Sequence, residues 1–119
     1  MTTETNKAIE HRLTAALNAR DWETVRELVA PELVPMFVHS PVLVAFPDIQ
    51  IITEDMVAEG DKVASRWTDH GTHLGEYGGI APTGRRVSVA GISIDRIENG
   101  KVVESWLQWD EMGLLQQIK

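Results

Sequence analysis

The sequence contains no cysteine. It therefore has no disulfide framework, no thiolate nucleophile and no zinc site built on sulfur, and a thiol-free chain fits a reducing cytoplasm, the expected location. Positive charge is scarce as well: 11 Lys and Arg stand against 18 Asp and Glu, a formal net charge of −7. Phosphate backbones are bound by Lys and Arg concentrated on one face, so nucleic acid is not an expected partner. No apolar run approaches the roughly 18 residues that a membrane span needs. The N-terminus MTTETNKAIE has neither the basic nor the apolar region of a signal peptide. A soluble, unprocessed chain without a membrane partner is expected. What is present, 119 residues with 43% apolar and 24% charged, is the composition of an ordinary globular domain.

Residues 5–18 place Ile9, Leu13, Ala16 and Leu17 at helical spacing, with Thr5 or Asn6 available as the cap. Asp21 is positioned to cap a second helix carrying Trp22, Val25, Leu28 and Val29, and Pro31 marks its end. From Pro31 to Pro47, with Pro35 and Pro41 between, the period is lost and irregular buried chain is expected. Strands then follow at residues 49–59, 62–73, 87–97 and 101–109, separated by turn signals at Gly60-Asp61, Ala81-Pro82-Thr83-Gly84 and Asn99-Gly100. Gly91 reads as a bulge, because the apolar phase shifts from Val87 and Val89 to Ile92 and Ile94. Asp110 is placed to cap a C-terminal turn. Helices followed by an antiparallel meander make an α+β fold. A curved sheet of about four strands with N-terminal helices over its concave face leaves an apolar pocket for a small molecule.

Several fragments carry a resemblance: Phe46-Pro47-Asp48, Ala58-Glu59-Gly60-Asp61-Lys62-Val63, Gly71-Thr72-His73-Leu74-Gly75-Glu76, Pro82-Thr83-Gly84-Arg85, Gly100-Lys101 and Trp109-Asp110-Glu111-Met112-Gly113-Leu114-Leu115-Gln116-Gln117. In this order, over nearly the whole chain, they resemble the SnoaL-like polyketide cyclases of the nuclear-transport-factor-2-like superfamily. The resemblance implies a single domain forming a cone-shaped α+β barrel, dimeric through the outer sheet face. It also implies ring closure by an intramolecular aldol reaction, with an aspartate as acid/base and neither metal nor cofactor. The position of that aspartate holds Leu107, the assisting histidine falls on Ser93, and an asparagine falls near Pro35. The chain is short between residues 39 and 46, where the family has a further helix, so the pocket is expected to be open there or covered by a second chain.

Leucine cannot move a proton, and the chemistry must be sought elsewhere. Asp69 and His73 share strand parity if Gly71 does not break it, and a carboxylate that orients an imidazole makes a general base near neutral pH. The other reading gives His73 a loop hydrogen bond and leaves Asp69 in solvent. Asp69, His70 and His73 would bind a metal only if a bend converged them, and no metal site is expected. A guanidinium at Arg66 could bind a carboxylate, ester or enolate if it faced inward; facing outward, it would pair with an acidic neighbour. His39 lies near the pocket mouth, and Leu17 and Trp67 are wall residues. A three-residue loop at Glu98-Asn99-Gly100 would put Ser93, Val103, Ser105, Leu107 and Trp109 on the inner face. Val102, Glu104, Trp106 and Gln108 would then lie outside, with Glu104, Trp106 and Gln108 at a homodimer interface. A two-residue turn would instead pair Ser93 with Trp106. Two functions follow: a cofactor-free ester cyclase acting on an apolar or aromatic molecule, or a pocket that binds such a molecule without turnover.

Overall fold

The structure, a computed structural model, describes residues 2–119. Helix α1 (Thr3–Ala19) starts two residues before the expected segment of residues 5–18. Thr2 and Thr5 form a reciprocal capping box there, which satisfies the first free amides. The helix ends at Arg20, in the left-handed region at φ 58°. Asn18, in the last turn, pairs with both backbone groups of Ile51 and so docks α1 along the sheet edge. Asp21 caps α2 (Trp22–Leu28).

The proline-rich stretch is helical. After a 3-10 turn (Pro31–Leu33) come α3 (Val34–Val38) and α4 (Pro41–Ala45), each with a proline in its first turn. An amide there has no helical partner to lose, so proline starts these turns instead of breaking them. The expectation of irregular chain is corrected accordingly. Helix α4 occupies the segment where the chain was expected to lack a helix.

Four strands, β1 (Gln50–Glu59), β2 (Lys62–Thr72), β3 (Arg86–Glu98) and β4 (Lys101–Trp109), form an open antiparallel meander in the order β1-β2-β3-β4. Helix α5 (Glu111–Ile118), capped by Asp110, closes the chain. Register runs unbroken between β2 and β3, so Gly91 is not a bulge. Instead the sheet is two-faced: Val87, Val89, Asp95 and Ile97 are buried inside, while Ile92 and Ile94 are exposed on the outside. Asn99 and Gly100, both with positive φ, make a two-residue turn that pairs Glu98 with Lys101. A bulge then adds Val103, pairing Ile97 with Val102 but Ser93 with Leu107. Turn and bulge together invert the expected places of two residues: Val102 is fully buried inside, and Val103 no longer shares the parity of Ser105 and Leu107.

The apolar core is split. Ile9, Leu13, Val25, Leu28, Val63 and Val102 pack at one end, and Phe46, Ile49, Val87, Val89, Leu114 and Ile118 at the other. Among the described residues, no helix is long and apolar enough to cross a membrane.

Candidate functional site

Helices α1, α3 and α4 face the inner side of the sheet across a cavity of about 450 Å³. This size suits a small organic ligand. The wall is largely apolar, with Leu13 and Leu17 from α1, Phe37 from α3, Leu43 from α4, Trp67 from β2 and Trp109 from β4. Ser93, Ser105 and Leu107 also line it, as strand parity brings them to the inner face. The indole of Trp67 lies across Gly91, where an added Cβ would sit 2.2 Å from the ring, and its Nε1 donates to Ser93 Oγ at 3.3 Å. The absent side chain at Gly91 is what flattens this part of the wall.

Asp69 stands in the wall beside Trp67 on β2. Its Oδ1 is buried without a hydrogen-bond partner, and burial pushes the carboxyl up to about 7. Charged carboxylate loses water there and gains nothing in return.

Two further carboxyls, which the sequence reading did not single out, meet deeper in the cavity. Glu10 of α1 and Asp95 of β3 are 5% and 4% exposed. Burial, then the hydrogen bond and charge of Asp95, raise Glu10 to about 9. The signals were present: Glu10 shares the apolar stripe of Leu13 and Leu17, and Asp95 lies two residues beyond inward Ser93. Tyr77, at the rim, donates to Glu111 at 2.7 Å, and burial with that bond raises its phenol to about 12. Arg20 is the cation in the lining, but its guanidinium donates to the carbonyls of Leu17, Pro47 and Ile49 at 2.7 to 2.8 Å. It is occupied in holding α1 to the start of β1.

Three expected site residues stand elsewhere. His73 follows the end of β2, fully buried and stacked on Phe46 with ring centroids 5.3 Å apart. Its Nδ1 accepts from the Thr83 amide at 3.2 Å, which puts the ring proton on Nε2. It neither lines the cavity nor hydrogen-bonds Asp69, because the loop through Thr83 and Arg85 folds over it. Arg66 has even parity on an unbulged β2 and lies exposed on the outer face beside Asp55 and Ile92. His39 is the exposed C-cap of α3 and is absent from the cavity wall. Among the described residues, no three His, Cys, Asp or Glu side chains converge to hold a metal ion.

An open antiparallel sheet whose concave face and overlying helices enclose a ligand-sized cavity is the nuclear-transport-factor-2-like α+β architecture. Residues 7–118 match the SnoaL-like polyketide cyclase family, to which the chain belongs. Solved structures agree. AclR of Streptomyces galilaeus, described as a candidate hydroxylase, is 31% identical, with 98% of this chain and 86% of that one aligned at a TM-score of 0.89. IdmH of Streptomyces antibioticus, described as a candidate polyketide cyclase, is 29% identical over 94% of this chain and 96% of its own, with a TM-score of 0.83. TsrD of Streptomyces laurentii is 26% identical over 99% and 97%, with a TM-score of 0.86. No curated protein matches the chain by sequence.

Proposed function

We propose that the protein is a cofactor-free cyclase that closes a ring in an apolar, polyketide-like ester by an intramolecular aldol reaction, with Asp69 as the proton-transfer group. The observation that carries this reading is the unpartnered Asp69 carboxyl in the wall of an otherwise apolar cavity. Its carboxylate takes a proton from the carbon between two carbonyls; the resulting enolate carbon attacks a third carbonyl of the same molecule. The oxygen of that carbonyl becomes an alkoxide and receives the proton back from the Asp69 acid. One carbon–carbon bond forms, the proton is returned, and product and substrate have the same mass. A base whose pKa lies near the working pH is both ionised and basic enough to act. Leu107 leaves the acid/base position of β4 empty, and Asp69 supplies a carboxyl two strands away on β2.

Leu107 equally favours a second reading, a pocket that binds such a molecule without turnover. Incubation with a polyketide methyl ester bearing a 1,3-dicarbonyl separates the two. The cyclase reading expects an isomer of unchanged mass with a new chromatographic position. Stabilisation of the protein by the ester, with no isomer formed, leaves the binding reading.

The same proposal includes a homodimer through the outer sheet face. Ile92, Ile94 and Trp106 are 49%, 40% and 48% exposed there, with Glu104 and Gln108 beside them on β4. Apolar side chains contiguous on a sheet face are normally covered. Trp106→Glu is expected to convert the dimer to a monomer in light scattering while leaving the far-ultraviolet circular dichroism unchanged. A wild-type chain that is monomeric at micromolar concentration contradicts this interface.

A further inference from the structure

Besides Asp69, the cavity wall holds two buried carboxyls, Glu10 and Asp95. They come from different elements, α1 and β3, and are each more than nine-tenths buried. Both line the cavity. Burial first, and then the neighbouring Asp95, keeps the proton on Glu10. Glu10 Oε1 and Asp95 Oδ1 are buried with no hydrogen-bond partner. Among the described lining residues the cation is Arg20, and its guanidinium is held by backbone carbonyls. Ser65, Ser93 and Ser105 bring hydroxyls to the same region of the wall. None of them bonds to the pair, although Ser105 is the register partner of Asp95.

A buried acceptor without a donor is destabilising, and an apolar core of similar volume would be more stable than this pair. What the empty acceptors lack is a hydrogen-bond donor at the end of an apolar molecule. We propose that the Glu10–Asp95 pair is the ligand-oxygen subsite of the cavity, accepting a hydrogen bond from a hydroxyl or enol carried by an aromatic ligand. The subsite rests on the cavity being a small-molecule site; it does not require Asp69 to move a proton. It assigns the ligand a polarity: its ring lies against Trp67 and Trp109, and its hydroxyl points between α1 and β3.

The probes are 2-naphthol and 2-methoxynaphthalene, which share a ring and an oxygen but differ in the hydroxyl hydrogen. Binding is followed by calorimetry at pH 7. The wild-type chain is expected to bind 2-naphthol about tenfold more tightly, the effect of one hydrogen bond to a charged acceptor. Glu10→Met/Asp95→Leu, apolar and of similar volume, is expected to bind both probes within about twofold of each other, since only the donor contact distinguished them. Asp95→Asn retains the shape and replaces one acceptor oxygen by a donor amide, and is expected to reduce the preference about threefold or more. Arg66→Gln, on the outer sheet face beside Asp55 and Ile92, is expected to keep it. Equal binding of the two probes, no binding of either, a preference that survives in both pair variants, or one lost in Arg66→Gln overturns the subsite. A preference that tracks the pair, combined with no cyclisation of dicarbonyl esters, rejects the cyclase reading alone.

Discussion

The protein is expected to become less stable as the pH rises from 4 to 9, against the usual trend in which buried carboxylates make acid the destabilising direction. Asp69 is raised from 3.8 to about 7 and Glu10 from 4.5 to about 9 in the folded chain. A carboxyl with a raised folded pKa contributes stability that is fully present below its unfolded value and is lost as the pH climbs through the folded one. The Asp69 contribution therefore falls away between about pH 4 and 7, and the Glu10 contribution continues to about pH 9. Each group costs roughly 1.4 kcal/mol per pH unit while its folded and unfolded forms differ by a proton. The opposing carboxyls act elsewhere. Asp48, held low first by its bond from the Thr72 hydroxyl, and Asp21, held low first by Thr24, lose their contributions only below about pH 4. Melting followed by circular dichroism is expected to show a drop of roughly 20–30 °C between pH 5 and 9. Glu10→Met/Asp95→Leu should flatten the upper part of that slope and Asp69→Asn the lower part. A melting temperature that is level or rising across this range contradicts the burial of uncompensated carboxyls on which the site description depends.

Asp69→Asn is expected to reduce turnover of a dicarbonyl ester by about 10²–10⁴-fold, the range for loss of a positioned acid/base group. The amide fills the same volume and cannot accept the proton. Ester-induced stabilisation should persist, because the wall made by Leu17, Trp67 and Trp109 is untouched. The variant should also be more stable than wild type at pH 8, since an amide bears no ionisation cost in that position. A rate loss joined to a stability gain separates a functional carboxyl from a merely structural one. His73→Ala offers the contrast: removing a fully buried ring stacked on Phe46 is expected to lower stability, whatever it does to rate.

Much of the fold was legible because its signals are local. Alternation marked the four strands, Asp21 and Asp110 marked two helix starts, and Asn99-Gly100 marked the last hairpin. What was not legible depends on partners remote in sequence. The indole of Trp67 explains Gly91, a contact across strands that mimics a bulge in the apolar pattern. Val103 enters as a bulge that no turn motif announces, and it alone restores the pairing of Ser93 with Leu107 after a two-residue turn. The prolines at 31, 35 and 41 suited helix starts as well as breaks, and only the packing of the segment decides between them. In the site, the wall residues followed from parity. His73 shares that parity, but the strand ends before it and a loop claims its ring. Glu10 and Asp95 were visible as interruptions of inward-facing patterns on separate elements. That they meet depends on how α1 crosses the sheet, which neither pattern encodes.

If Asp69 moves the proton, the pH dependence of kcat/KM for ring closure carries its ionisation. The rate is expected to rise with an apparent pKa near 7, that of Asp69 in the free protein, and Asp69→Asn is expected to lose that limb. A limb near pH 4, or an Asp69→Asn variant with the wild-type rate and profile, would rule Asp69 out as the proton-transfer group.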